Sequence, residues 1–406
     1  MTYQFSETTL SNGMRIAAEH SSEAATAAIG FFVKTGARDE TSALMGVSHF
    51  LEHMIFKGTE KLSAEEVDLA FDSIGAEHNA FTSSEMTAFW GAGLPEVLPN
   101  IHDTLSDILR PSLRQKDFDD EKKVILEEIA MYDDQPFWVL YENAMEQYYN
   151  TSSLGHRVLG TPKTIVDMKR DELAKYFFER YSADNTVVVL SGNIDFENMV
   201  GAIEANCGAW ETTGALRKYD EVVRFPGTYT KKIEDLHQHY LMMMMPSASF
   251  QNPKRHAAAA LASIFGGGEG SRLHWALVDA GLAEVASASA DSSDGFGEQM
   301  VWAVCAPDDA EQVSTVIKEE MKKLVQSLTK EDLSKVIAKA STGVAVASER
   351  PAGRMQRLGS MLTTSGTYVS LEDELQTIEK LTLKDLQEVA EEFPWEPIFE
   401  ASASQS

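Results

Sequence analysis

The chain is poor in cysteine, with only Cys207 and Cys305 among its 406 residues. Two thiols cannot build a disulfide framework, and they lack the spacing of a zinc ribbon. Both read as small buried hydrophobes. No apolar run approaches the roughly 18–20 residues that a membrane helix needs; the run LMMMM at 241–245 is strand-sized. The opening MTYQFSETTLSNGMRIAAEH has neither a basic n-region nor an apolar h-region, so no signal peptide is expected and a reducing, cytoplasmic compartment fits best. Base is scarce as well: 35 Lys and Arg stand against 63 Asp and Glu, a net charge of −28. That deficit excludes nucleic acid and anionic lipid as default partners, because both need a basic face. The acidity reads as a solvated, self-repelling surface.

What is present suits a globular protein: 43% apolar and 24% charged residues. At roughly 100–200 residues per domain, the length suggests a few domains. The N-terminus reads as strand, Asn12-Gly13 turn, strand. A strand at 27–34 follows, then a helix at 42–56 ended by Gly58. A further helix at 63–74 opens on a capping box from Ser63. Residues 78–92 read as a strand and its turn. Helices are expected at 98–109, 115–132, 137–149 and 196–207, with a buried strand at 186–191. The polar stretch 218–230, with Pro226-Gly227, reads as a linker. The same order of elements then returns, beginning with a strand at 239–245 and a helix at 253–265, and including a helix at 272–279. The closing EASASQS reads as a frayed tail. We therefore expect an α+β protein of two homologous α/β-sandwich halves, each an antiparallel-rich sheet flanked by helices. Residues 1–217 would form the first, 218–230 the linker and 231–406 the second.

The chemistry concentrates in His49-Phe50-Leu51-Glu52-His53. At 100° per residue, Leu44, Val47, Leu51, Met54 and Ile55 make one apolar stripe. His49, Glu52 and His53 share a different arc, where the i, i+4 pair of imidazoles can reach one metal ion. Glu52 lies beside the same point without having to be a ligand. An exposed helix carrying His, Glu and His by chance is the bland alternative. A second feature counts against it. In 115–132, Phe118, Val124, Ile125, Ile129 and Tyr132 form an apolar stripe, and Glu121 and Glu128 fall inside it, two turns apart. Carboxylates on a core-facing stripe are costly unless paired or metal-bound. Glu127 faces elsewhere.

His49-x-x-Glu52-His53 is the inverted motif of the inverzincins, and Glu128 follows His53 by 128 − 53 = 75 positions. With SNGMRIAAEH, GVSHFLEHMIFKGT, GAEHNAFTSSEMTAFW, KKVILEEI, LGHRVLGT, YSADNTVVVLSGNID and FGGGEGSRL in this order, nearly the whole chain resembles the pitrilysin and mitochondrial-processing-peptidase superfamily. The short motif alone would be less specific, since S-ribosylhomocysteine lyase carries it too. The resemblance implies a metalloenzyme fold of the lyase and processing-peptidase type, forming half of a clam-shell chamber. It implies one Zn2+ per chain on His49, His53 and Glu128, with Glu52 as general base and Glu121 supporting the site. Peptide substrates would add as a β-strand beside Asn79 and Ala80.

The pattern breaks in one place. Family members that act as a single unit supply an arginine and, seven residues on, a tyrosine; here Leu277 and Glu284 stand in those positions. Neither donates to a developing oxyanion at neutral pH. The favoured explanation is a heterodimer whose paralogous partner brings the Arg/Tyr pair. A homodimer with a different oxyanion device and a non-catalytic scaffold subunit are the alternatives.

Overall fold

In the computed structural model, residues 2–406 are described. Eleven strands are formed among them: β1 (Gln4–Thr9), β2 (Arg15–His20), β3 (Ala27–Val33), β4 (Glu77–Thr82), β5 (Thr87–Gly93), β6 (Thr186–Gly192), β7 (Gly227–Ile233), β8 (His239–Pro246), β9 (Val285–Ser293), β10 (Phe296–Cys305) and β11 (Phe399–Gln405). The helices in the first half are α1 (Val47–Ile55), α2 (Ala64–Asp72), α3 (Leu98–Ile108), α4 (Gln115–Asp133), α5 (Pro136–Tyr149), α6 (Pro162–Asp167), α7 (Arg170–Arg180) and α8 (Phe196–Cys207). Those in the second are α9 (Arg255–Gly266), α10 (Ala310–Leu324), α11 (Lys330–Ala347), α12 (Pro351–Ser365), α13 (Leu371–Glu379) and α14 (Leu383–Glu392).

Two compact units result. The first comprises residues up to Ala130, His156–Lys218 and Val346–Tyr368; the second comprises Met131–Gly155, Tyr219–Ala345 and Val369–Ser406. Chain order is thus followed only in part, because α5 belongs to the second unit and α12 to the first. Both sheets are mixed, so the fold is a two-unit α/β arrangement with helices on the sheet faces.

The first unit holds a six-stranded sheet in the order β1-β2-β6-β3-β5-β4, parallel only between β2 and β6. Every residue of β3 is buried, as expected of a strand covered on both faces. Ile29, Phe31 and Val33 enter the main core with residues of α1, α3 and α7. On the opposite face α12 packs against β3 and β6. It lies so close that a Cβ on Gly359 would meet the Phe32 ring. Arg354 of α12 donates to the buried carboxylate of Glu19 on β2 at 2.8 Å, and Tyr368 donates to it at 3.1 Å. Removing one partner of such a buried pair would leave an uncompensated charge.

The second unit holds a five-stranded sheet in the order β7-β11-β8-β10-β9, parallel only between β7 and β11. The methionine run of β8 alternates between two cores. Met242 and Met244 pack with Leu140 and Ala144 of α5, while Met243 and Met245 pack with residues of α9, α10 and α14. Burial on both faces explains why the run is uninterrupted.

Several elements differ from expectation. The closing EASASQS is no frayed tail: β11 lies inside the sheet, paired with both β7 and β8. Its period-2 pattern rests on Ala401 and Ala403, whose small side chains give little hydropathy signal, and its two ladder partners are distant in sequence. β7 starts at Gly227, so the end of the expected linker is strand. The helix expected over 42–56 is a 3-10 turn at Ser42–Leu44 followed by α1, because Gly46 takes a φ of +94° between them. Val124 leaves the apolar stripe of α4 and is 45% exposed. The helix expected at 272–279 is a π-helical turn, His274–Val278. The capping box of α2 is present, with the Glu66 amide donating to the Ser63 hydroxyl. Among the described residues no helix is long and apolar enough to cross a membrane.

The tight seat of α12 leads to a stability prediction. Gly359→Leu should overpack the Phe32 contact and cost about 1–3 kcal/mol, read as a lowered midpoint in denaturant unfolding. An unchanged midpoint would show that the helix can back away from the sheet freely.

Candidate active site

The site is built on α1 and α4. Gly46 precedes α1 in the left-handed region, where L side chains are strained. A Cβ there would also come within 2.7 Å of the Leu159 carbonyl oxygen. Gly46 has no side chain to cap the helix, and the buried Glu40 does so from outside. Its carboxylate accepts from the Gly46 amide at 2.7 Å and from the Ser48 amide at 2.8 Å, satisfying helix-start donors. The Ser48 hydroxyl and the Tyr176 hydroxyl lie 3.2 Å apart, and Tyr176 reaches Thr35 at 2.8 Å. These contacts set the rotation of α1. Val47, Phe50, Leu51, Met54 and Ile55 are thereby buried, and Phe50 stacks on Phe118 of α4 with centroids 4.6 Å apart. Phe118, Glu121, Ile125 and Ile129 are the buried residues of α4.

With the helices so placed, Glu128 Oε2 lies 3.7 Å from His49 Nε2 and 3.5 Å from His53 Nε2. One ligand atom from each of the three residues falls within 4.8 Å of the others. Two donors bound tetrahedrally to one zinc at about 2.0–2.1 Å sit roughly 3.3 Å apart, so this set fits a single ion. The second nitrogen of His53 is held by Glu121, whose Oε1 lies 2.8 Å from Nδ1. Lys57 Nζ lies 2.6 Å from the other Glu121 oxygen. The Nδ1 of His49, by contrast, is buried without a hydrogen bond. Glu52 accepts from the Thr82 hydroxyl at 2.6 Å. Glu127 is exposed, and Glu85 pairs with Arg38.

The electrostatics follow from burial and neighbours. Burial, reinforced by His53, lowers the His49 imidazole to about 3 and keeps it neutral. Burial also works against charge on His53. The Glu121 hydrogen bond and the charges of Glu121, Glu128 and Glu52 outweigh it and raise that pKa. For Glu121, the hydrogen bonds from His53 and Lys57 overcome burial and hold the carboxyl below its usual value. Burial raises Glu52, with Glu128 adding to it, against the Thr82 bond and His53. A carboxyl displaced upward in this way suits proton transfer.

Asn79 and Ala80 lie on β4, an edge strand that pairs only with β5. The Ala80 amide donates to the Asn79 side chain at 2.8 Å instead of to a neighbouring strand. In the second unit Leu277 is fully buried, and Glu284 accepts from Gln238 at 2.6 Å. Neither presents a donor.

Sequence reasoning missed Glu40, Lys57 and Thr82. Lys57 carried a signal, four residues beyond His53 and one helical turn on. Glu40 and Thr82 reach the site only through tertiary contacts.

The neutral His49 gives a pH prediction for the metal-free protein. An unfolded histidine titrates near 6.5, and the folded one near 3. Between these values the unfolded chain binds a proton that the folded chain refuses, so stability falls as pH drops. Between pH 7 and pH 5 the protein should lose about 2 kcal/mol more than His49→Gln, measured by denaturant unfolding with a chelator present. Equal losses would contradict a neutral buried imidazole.

Comparison with known proteins agrees with this architecture. Residues 15–162 match the family model described as insulinase (peptidase family M16), and residues 167–340 the one described as the peptidase M16 inactive domain. An uncharacterized zinc protease of Streptomyces coelicolor is 30% identical over 94% of this chain and 86% of its own length. The uncharacterized zinc protease YmxG of Bacillus subtilis is 28% identical over 93% of this chain and 92% of its own. Among solved structures, a protease from Helicobacter pylori superposes with a TM-score of 0.92 at 20% identity, covering 99% of this chain and 100% of that one. A peptidase M16 inactive domain from Pseudomonas fluorescens gives 0.90 at 16% identity, covering 99% and 98%. With an insulinase-type N-terminal match, an adjoining inactive-domain match and a relative alike over nearly its full length, the chain belongs to peptidase family M16.

Proposed function

We propose that this chain is a zinc-dependent endopeptidase subunit that hydrolyses peptides or unfolded chains bound as an added β-strand in a closed chamber. The observation that carries the reading is the convergence of His49, His53 and Glu128 to within 4.8 Å, with Glu52 one helical turn from His49 on the same helix. One zinc ion per chain would be held by those three residues. When bound, it supplies Lewis-acid polarisation of the scissile carbonyl and acidifies a water molecule.

The chain's own residues supply the rest. Glu52 accepts a proton from the attacking water and returns it to the leaving amine nitrogen. The Thr82 hydroxyl holds Glu52 through one oxygen and leaves the other available. Glu121 fixes the His53 ring through Nδ1, so that Nε2 keeps its lone pair for the cation. The outer edge of β4, at Asn79 and Ala80, would offer backbone groups to an extended substrate once the Ala80 amide exchanges the Asn79 side chain for the substrate, a grip that does not depend on side-chain identity.

The buried Leu277 and the acidic Glu284 favour a heterodimer in which a paralogous partner contributes an arginine and a tyrosine to the developing oxyanion. A homodimer with another oxyanion device is the second reading, and a non-catalytic scaffold subunit the third. The two buried, unpaired cysteines favour a reducing, cytoplasmic setting.

Two experiments test this. Metal analysis should find about one zinc per chain, and Glu52→Gln should retain that zinc while peptide cleavage drops by roughly 100-fold or more. Retained cleavage would remove Glu52 from the mechanism, and absence of zinc would remove the hydrolase reading. Separately, the purified chain should cleave peptides poorly until a paralogue bearing the Arg/Tyr spacing is added; full activity alone would refute the heterodimer.

A further inference from the structure

His49, His53 and Lys57 follow one another at intervals of four residues, so they form a single row along α1 and its continuation. The row persists past Ile55 because Phe56 keeps helical dihedrals, with φ −83° and ψ −3°. Opposite it, Glu128 and Glu121 form a second row two turns apart on α4. Glu128 faces His49 and His53, and Glu121 faces His53 and Lys57. The two rows make a ladder in which each carboxylate spans two partners. The cation reading uses every rung but the last.

We propose that Lys57 is a positioning residue for the cation site, clamping the Glu121 carboxylate in the orientation that orders the His53 ring. This rests on the zinc reading above. Each oxygen of Glu121 has one partner: Oε1 faces His53 Nδ1 at 2.8 Å, and Oε2 faces Lys57 Nζ at 2.6 Å. A carboxylate held at one oxygen only can rotate about its last bond, and the imidazole it holds can rotate with it. Lys57 removes that freedom. Its own backbone is held in place, because Arg114, just before α4, donates to the carbonyls of Lys57 and Thr59 at 3.3 and 2.6 Å. The clamp therefore ties the end of α1 to α4 at two places, at Glu121 and at Arg114 just before the helix.

Two observations separate this pair from an ordinary surface ion pair, which contributes little. The Glu121 side chain is only 6% exposed, so its charge has little access to water and depends on its two partners. The outer nitrogen of His49 has no hydrogen bond at all. The His53–Glu121 contact is then the hydrogen bond through Nδ1 that orients one of the two imidazoles, and whatever steadies it steadies the donor set.

The test is zinc affinity, measured by competition with a chromophoric chelator on the full chain. Lys57→Met should weaken zinc binding by about 10-fold or more, in the range found for partners of metal-bound histidines. Lys57→Arg, which keeps a donor for Oε2, should restore most of that loss. In a Glu121→Gln background, Lys57→Met should have no further effect, because the group it steadies is already altered. The metal-free Lys57→Met protein should melt below the parent, since a buried carboxylate loses one of its two partners. Zinc affinity is therefore read well below that melting temperature, where the chain is folded and a purely structural role would leave the affinity unchanged. Lys57→Met binding zinc as tightly as the parent would overturn the clamp while leaving the zinc reading intact. So would an equal loss in the Glu121→Gln background. A parent chain that binds no zinc would overturn both.

Discussion

Charge carried on an apolar helix face has to be matched by something, and that constraint organises the first unit. Glu121 sits among Phe118, Ile125 and Ile129 as a buried residue of α4, and His49 is buried on α1. Neither helix can hide such groups alone. They become tolerable when the rows face each other, so that carboxylates meet imidazoles and an ammonium across a gap set by the Phe50–Phe118 stack. The same desolvation keeps His49 neutral and lifts Glu52, the states needed of a metal donor and a base. Packing and chemistry are here one requirement.

Holding α1 at the right rotation takes support from outside the helix. Gly46 admits the close approach of the 159–160 segment and forgoes a cap of its own. Glu40 supplies the missing acceptor, and Ser48 and Tyr176 continue the polar path to Thr35. The sheet beneath is fixed on its other face by α12, through the close Gly359–Phe32 seat and the Arg354–Glu19 pair. A helix drawn from late in the chain thus supports the sheet of a unit built mostly from its first half.

The candidate site was legible to an unusual degree, and for a definite reason. Little more than one turn of one helix carries His49, Glu52 and His53, and two turns of another carry Glu121 and Glu128, so helical periodicity alone grouped each set. What periodicity could not tell was which residues from other elements close on them. Thr82 arrives from the end of β4, and Glu40 from a loop before α1. The fold was less evenly legible. Strongly patterned segments such as β3, β6, α4 and α5 were readable, because burial on both faces or on one stripe leaves a clear apolar signature. β11 was not, since Ala401, Ala403 and their serine neighbours carry almost no hydropathy contrast and its ladder partners lie far away in sequence.

The amino-acid sequence by itself determined the chemical inventory and its local grouping: two imidazoles and a carboxylate at helical spacing on one segment, and two carboxylates on an apolar stripe of another. Only the tertiary structure decided that the two helices bring these groups within reach of one ion, that α5 and α12 each join the unit away from their chain neighbours, and that the C-terminal segment is an inner strand. The division has a physical basis. Periodicity is a property of neighbouring residues, whereas pairing across a sheet or between helices is chosen by the total burial and hydrogen bonding of segments far apart in the chain.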